Sequence, residues 1–483
     1  MTTASTNTES IHLDRGLGLL QAIAANILVM IGVGPFLTIP FMLSAMGGPH
    51  IIYAWLAGAV LALCDGLVYA QLGAALPGSG GPYVYLREAY KPFGLGPLMG
   101  FLFIFQVMLV APLSIASGAV GFADYLRFYW TTMSPPTHDA AAAAVAAGMT
   151  ALLYRHIRDV GRLSVIMLAV VALTVGWVVV AGLWRFSFAQ AFDFPAPAYT
   201  FDGSLLARVG AVALLAMYNY GGYNNVCNIA EEIRKPERNV PRAIVSSILM
   251  VVVLYIVMST VIIGVIPWTE AHVPRAIVSS ILMVVVLYIV MSTVIIGVIP
   301  WTEAQQSRAI ASVFIERTFS NPATGRAAAE LMTALILFVT ASSLYGVILG
   351  YSRIPFAAAR EGQFFRVFAR VHPTKHFPHV SLVTLGALAI PFCFFSLGQI
   401  VSWLILVQIV SQFIWQCAAV ILLRRYRPDV PQPFVMWLYP VPALVALGLW
   451  IYVFVSAPVS GMLFAVGVVA AGVAAYFLFA RHA

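Results

Sequence analysis

Two interruptions in otherwise apolar sequence hold the residues best able to handle a small polar molecule. The first is Ile31-Gly32-Val33-Gly34-Pro35-Phe36, and the second is Tyr218-Asn219-Tyr220-Gly221-Gly222-Tyr223-Asn224-Asn225. Glycine admits dihedrals that other residues avoid and proline removes a backbone donor, so each run predicts a helix broken in mid-course. A broken helix offers free amides at the start of one half and free carbonyls at the end of the other. The amides suit a carboxylate and the carbonyls an ammonium. An α-amino acid carries both groups. Close helix packing, for which membrane helices often use glycine, accounts for either run taken alone.

A third candidate is Asp65, inside the apolar stretch from residue 51 to 76. A carboxyl group at membrane depth is costly and by default marks a functional site, here as carrier of a coupling proton. Pairing within the bundle is the alternative. His372, His376 and His379 could suggest a metal, but Pro373 and Pro378 interrupt the helix that ligands one turn apart need. Cys64, Cys227, Cys393 and Cys417 lie in or beside apolar segments without CxxC spacing, which predicts packed free thiols. The sequence contains no phosphate loop, nucleophile elbow or paired soluble carboxylates, so an enzyme is not expected, nor a bound cofactor beyond a coupling proton or sodium ion.

The elements that position these residues follow from composition. The chain is 61% hydrophobic and 9% charged, too apolar to cover a soluble surface. Apolar runs long enough to cross a bilayer recur along its length, near residues 17–43, 51–76, 96–125, 139–154, 163–184, 205–227, 243–266, 276–299, 328–352, 379–396, 397–423, 434–456 and 458–479. Lipid is therefore the expected surrounding. The formal charge of +8 resides in short loops rather than on one basic face, which argues against nucleic acid as a partner. No obligatory protein partner is inferred. Residues 1–14 lack the features of a signal peptide and form an expected cytoplasmic tail ahead of one transmembrane domain, 15–483.

Arg87 and Lys91, Arg155, Arg158 and Arg162, and Arg234, Lys235, Arg238 and Arg242 follow alternate spans, which places these loops and the N-terminus in the cytoplasm of a cell with an inner, cytoplasmic membrane. Arg353, Arg360, Arg366, Arg370 and Lys375, and later Arg424, Arg425 and Arg427, belong on the same side only if an even number of crossings separates Arg242 from Arg353. Three candidate spans lie there. The cause is an internal repeat: Val240–Ala271 recurs without a change as Val273–Ala304. We expect one copy to fill the seventh position, the first by preference because it directly follows Arg238-Asn239-Val240-Pro241-Arg242, and the other to lie peripherally without a net crossing.

The interrupted first and sixth spans, five apart, are the pointer to an inverted-repeat transporter with a midplane site. The residues also resemble a known family, the amino acid-polyamine-organocation superfamily of permeases. Span 1 is similar to its Ile-Gly-x-Gly-Ile-Phe signature, with Pro35 in place of the second isoleucine. Gly78-Ser79-Gly80-Gly81-Pro82-Tyr83-Val84-Tyr85 resembles its loop after the second helix. The most specific match is Tyr220-Gly221-Gly222-Tyr223-Asn224-Asn225-Val226 with Glu231-Glu232-Ile233-Arg234-Lys235-Pro236-Glu237-Arg238 and the Val-Pro-Arg-Ala that follows. The likeness covers roughly residues 17 to 430.

The resemblance implies an all-α five-plus-five inverted-repeat fold, with repeats about 17–184 and 205–423, two further helices about 434–479, and twelve core spans plus the duplicated one. It implies alternating access, with substrate carboxylate near the amides of Val33 and Gly34. The amino group would meet carbonyls around Ile31 and Tyr218 to Gly221. Specificity would come from Tyr220, Tyr223, Gln106, Gln408 and Gln412, although the glutamines also read as interhelical hydrogen bonds. Where some proton-coupled relatives carry a lysine this chain has Val171, and sodium-coupled relatives place hydroxyls at positions matching Ser342 and Ser343. Amino acid transport is the leading expectation. A polyamine carrier is the second, although Leu37-Thr38-Ile39 supplies no acid for a cation. A non-transporting sensor or a nonfunctional duplicated variant is the third.

Overall fold

A computed structural model describes residues 34–47, 50–76, 81–154, 203–222, 294–307, 309–375 and 377–480, with Gln21, Val29, Asn225 and scattered positions between 165 and 181. Among these residues every long regular element is helical and no strand occurs. In chain order they are α1 (Gly34–Met46), α2 (Ile51–Ala75), α3 (Pro82–Tyr90), α4 (Gly96–Leu126), α5 (Pro135–Leu152) and α6 (Gly203–Tyr220). There follow α7 (Ile310–Thr318), α8 (Pro322–Tyr351), α9 (Arg353–Arg360), α10 (His379–Ala389), α11 (Leu397–Gln408), α12 (Ile414–Tyr426), α13 (Val441–Val455) and α14 (Val459–Ala480). Five helical stretches meet the length and apolarity of a membrane span: Ile51–Ala75, Gly96–Leu126, Pro322–Arg360, Leu397–Tyr426 and Val459–Leu478. Shorter apolar helices cover Ser204–Tyr220, His379–Phe394 and Val441–Val455.

The sequence sets several boundaries. Asn321 accepts the amide of Ala323 at 2.9 Å ahead of Pro322, which opens α8 with a side-chain cap and a proline that has no donor to waste. Ser396 and Gln399 form a reciprocal capping box that starts α11. The stretch after span 2, expected as a loop, is a helix from Pro82, whose ring suits the first helical position, through Leu86-Arg87-Glu88-Ala89, all good helix formers. Arg353, assigned above to a basic loop, is buried at the start of α9 and donates to the Leu349 carbonyl at 3.2 Å.

Polarity is distributed as lipid requires. Asp65, Gln71, Gln106, Thr333 and Gln416 are buried, whereas Leu56, Val60, Leu331, Phe338 and Leu463 are exposed. Water as the surrounding solvent would favour the reverse, since exposed apolar area costs about 25 cal/mol per Å². The bundle centres on α4, which packs against α8, α11, α5 and α14, while α2 packs against α6 and α13. Close approaches rely on glycine. A Cβ on Gly118 would sit 2.6 Å from Leu344, and one on Gly58 would sit 2.8 Å from Ala216.

At one end of the bundle, Arg87 of α3 pairs with Glu361, and Tyr83 donates to the same carboxylate at 2.9 Å. Beside them Arg427 reaches Glu88 at 3.1 Å. These contacts bring the loops after spans 2, 8 and 10 to one side. Burial pushes the Glu88 carboxyl up, but hydrogen bonds from Arg427 and Arg87 outweigh it and hold the group below its ordinary 4.5. A depressed folded-state value stabilises the fold above pH 4.5 and loses that contribution as pH falls through the lower value. Arg427→Met should therefore cost about 1 kcal/mol near neutral pH and flatten the acid limb of a Tm-against-pH curve. An unchanged acid limb in thermal unfolding would contradict this role.

The first copy of the repeat and most of the second lie outside the described residues. The end of the second copy does not. Val294, Ile295, Ile296 and Ile299 are buried, and the helical turn Trp301–Ala304 lies against α1. A wholly peripheral second copy, the expectation above, does not fit its tail, whose branched apolar side chains find a place within the bundle.

Candidate functional site

A cavity of about 150 Å³ lies where α1, α4, α6, α8 and α11 converge. From α4 come Phe103, Gln106, Val107, Ser114, Ser117 and Gly118, which recur at helical spacing and so share one face. From α8 come Thr340, Ser343, Leu344 and Val347, and from α11 and the segment after it Leu404, Ile405, Gln408, Gln412 and Phe413. Gly34 and Val29 of span 1 and Tyr218, Asn219, Gly221, Gly222 and Asn225 of span 6 complete much of the wall.

The sixth span breaks later than the sequence suggested. Tyr218, Asn219 and Tyr220 remain helical, since the amide of Gly221 still donates to the Met217 carbonyl at 3.0 Å. The chain turns at Gly221 and Gly222, the latter at φ 109°, a conformation that favours glycine. The carbonyls of Tyr218 to Tyr220 thus belong to the last helical turn before Gly221, at the negative pole of α6. Gly34 of α1 stands directly beside this end. A Cβ on Gly34 would lie 2.3 Å from Asn219 Oδ1, and Asn219 Nδ2 donates to Thr38 Oγ1 at 2.8 Å. Ile31, Gly32, Val33 and Tyr223 lie outside the described residues.

Tyr220 turns away from the cavity. Its hydroxyl donates to the Trp55 carbonyl at 3.2 Å and its ring meets Trp55 edge-on at 5.6 Å, which fastens α6 to α2. Tyr218 faces the cavity instead, with its hydroxyl 3.0 Å from Ser117 Oγ. Of the two adjacent serines, Ser343 lines the cavity while Ser342 is fully buried and donates to the Phe338 carbonyl at 2.8 Å.

The three glutamines come together. Gln106 Nε2 donates to Gln412 Oε1 at 3.0 Å, Ser411 Oγ donates to Gln106 Oε1 at 2.9 Å, and Gln412 Nε2 in turn donates to the Tyr69 hydroxyl. Gln408 Nε2 approaches the Tyr351 hydroxyl at 3.4 Å. Their spacing of four would put Gln408 and Gln412 one turn apart on a regular α-helix. Instead Ile409–Phe413 is a π-helical turn between α11 and α12, a feature frequent at functional sites.

Asp65 faces the interior, completely buried, on α2. Its Oδ1 accepts from Trp450 Nε1 at 3.3 Å and from Cys417 Sγ at 3.8 Å. Trp450 itself lines the cavity and stacks on Phe413 at 4.3 Å. The carboxylate therefore stands one indole behind the cavity wall. Trp450 carries no signal in the sequence because its partner is remote in the chain, while Asn225, part of the second interruption, has its side chain in the space a Cβ on Gly350 would take. Among the described residues no group of His, Cys, Asp or Glu could hold a metal ion.

A helical bundle with an apolar exterior and a polar interior that lines a central cavity is a multi-pass membrane protein. The amino acid permease family profile matches residues 17–272 and 269–479, and the chain belongs to that family. It is a transporter rather than an enzyme. The seam between the two matches falls at the junction of the repeated segments. The chain is 27% identical over 503 residues to the b(0,+)-type amino acid transporter 1 of Mus musculus, covering 99% of this chain and 91% of that protein. It is 23% identical to the serine/threonine exchanger SteT of Bacillus subtilis, covering 91% and 90% of the two chains. It is also 23% identical to the methylthioribose transporter of the same bacterium, covering 99% and 96%.

Proposed function

We propose that this permease carries amino acids across the cytoplasmic membrane by alternating access, with the substrate held between the start of α1 and the end of α6. The observation that carries this reading is that Gly34 and the Gly221–Gly222 turn line one cavity. The positive end of the α1 half-helix would receive the carboxylate at the Gly34 amide, with Val33 adjoining. The negative end of α6 would receive the ammonium at the Tyr218 to Gly221 carbonyls. Gln106, Gln408, Gln412 and Tyr218 would contact the side chain. Asp65 is the proposed proton carrier. Its burial, and its link to the cavity through Trp450, support that role over sodium binding, for which only Ser343 of the serine pair reaches the cavity. Accumulation of radiolabelled amino acids by proteoliposomes under an imposed pH gradient tests the reading, and a sodium-dependent, pH-independent response would refute the coupling assignment.

The five-plus-five inverted repeat is part of the same proposal. Spans 1 and 6 meet at the cavity and spans 3 and 8, also five apart, cross beside it as α4 and α8. A cytoplasmic N-terminus follows from the loop charges. The Arg87–Glu361 pair supports an even number of crossings between those two residues, hence a single net crossing by the repeated segments. With cysteines introduced singly, Thr302→Cys should react with an impermeant thiol reagent from outside and Arg360→Cys only from inside. Reaction of both from the same side would contradict this topology.

A further inference from the structure

We propose that the cavity selects substrates with uncharged side chains and rejects cationic and anionic amino acids and polyamines. The proposal rests on the reading above that an amino acid occupies this cavity, and goes on to name its class. Every polar side chain that the described residues contribute to the wall is an amide, a hydroxyl or an indole, and none bears a charge. The backbone charges of a zwitterion meet the two half-helix ends, which use up the only fixed charge of either sign described at the wall. A third charge on the substrate's side chain then enters a low-dielectric space where the described residues supply no counter-ion, an unfavourable transfer that hydrogen bonds to neutral groups only partly offset.

Among the described residues Asp65 is the acidic group nearest the cavity through Trp450, but it does not line the cavity, and the Trp450 indole stands between with its N–H already given to the carboxylate. Neutral polar side chains, by contrast, find partners. Ser343 faces the cavity, and Gln408, half-buried there, makes a long contact of 3.4 Å with the Tyr351 hydroxyl. A hydroxyl or carboxamide on the substrate can exchange hydrogen bonds with both. The mixture with Phe103, Leu344 and Val347 also accommodates small apolar side chains.

The test is a competition panel on the full chain in proteoliposomes, with serine, threonine, alanine, asparagine, glutamine, lysine, arginine, glutamate and spermidine, paired with thermal-shift binding on purified protein. Neutral amino acids should compete at least 100-fold more tightly than lysine, glutamate or spermidine. Gln408→Glu places a carboxylate at the wall without touching the Gln106–Gln412 pair and should improve lysine binding at least tenfold. Wild-type protein that binds lysine or glutamate as tightly as serine overturns the selectivity and leaves the amino acid reading in place. Well-folded protein that binds no amino acid at all overturns both, and this outcome is distinct from the first. If Gln408→Glu fails to fold, the wild-type panel still decides.

Discussion

Gly34→Leu is expected to abolish uptake while leaving a membrane-inserted protein. The reason is a single distance: even one Cβ at this position would stand 2.3 Å from Asn219 Oδ1, far inside van der Waals contact. Asn219 is not free to retreat, because its Nδ2 binds both Thr38 Oγ1 at 2.8 Å and the Leu215 carbonyl at 2.7 Å. Overpacking of this kind costs about 1–3 kcal/mol of folding stability, so Gly34→Ala should already lower the Tm and reduce uptake. Leucine adds a branched side chain in the volume assigned to the substrate carboxylate. The mechanism can be separated from general damage by the double variant Gly34→Ala/Asn219→Ala, which should recover thermal stability lost by Gly34→Ala because the clashing atom is gone. Normal uptake by Gly34→Leu, measured per molecule of inserted protein, would remove the cavity from the transport path.

Asp65→Asn carries the second large effect. Asparagine preserves size and can still accept the Trp450 N–H at the position Oδ1 occupies, but it cannot take up and release a proton. With one proton per substrate, a gradient of about one pH unit supports up to about tenfold accumulation. That accumulation should vanish in Asp65→Asn, whereas exchange of internal for external substrate should continue, since exchange needs the cavity but no net proton movement. An Asp65→Asn protein that still concentrates substrate under a pH gradient would refute the carrier role. Loss of both activities with a lowered Tm would mark Asp65 as a structural partner of Trp450 and Cys417.

Much of this site is legible in the sequence because membrane burial penalises the residues that reveal it. Gly34, Gly221, Gly222, Asp65 and the glutamines interrupt apolar runs, and each interruption demands a partner in lipid. The direction in which a side chain faces is harder to read, since the lipid-facing and core-facing sides of a membrane helix are both apolar and leave no strong periodicity. Tyr218 and Tyr220 illustrate it. Two residues apart on a helix with 3.6 residues per turn they point to nearly opposite sides, and only packing against Trp55 decides that Tyr220 is structural and Tyr218 lines the cavity. Ser342 and Ser343 divide for the same reason. The π-helical turn at Ile409–Phe413 and the seat of Asn225 against Gly350 depend on contacts between distant segments, which no local pattern encodes.

The most direct measurement is saturable uptake of a neutral radiolabelled amino acid, such as serine, into proteoliposomes containing purified wild-type protein or Gly34→Leu. Time-dependent uptake by the wild type, competed by unlabelled neutral amino acids and absent from correctly inserted Gly34→Leu, is the predicted result. Equal uptake by the two proteins, or a monodisperse wild-type protein that moves no amino acid in the panel, would contradict the assignment of the cavity between α1 and α6 as the transport site.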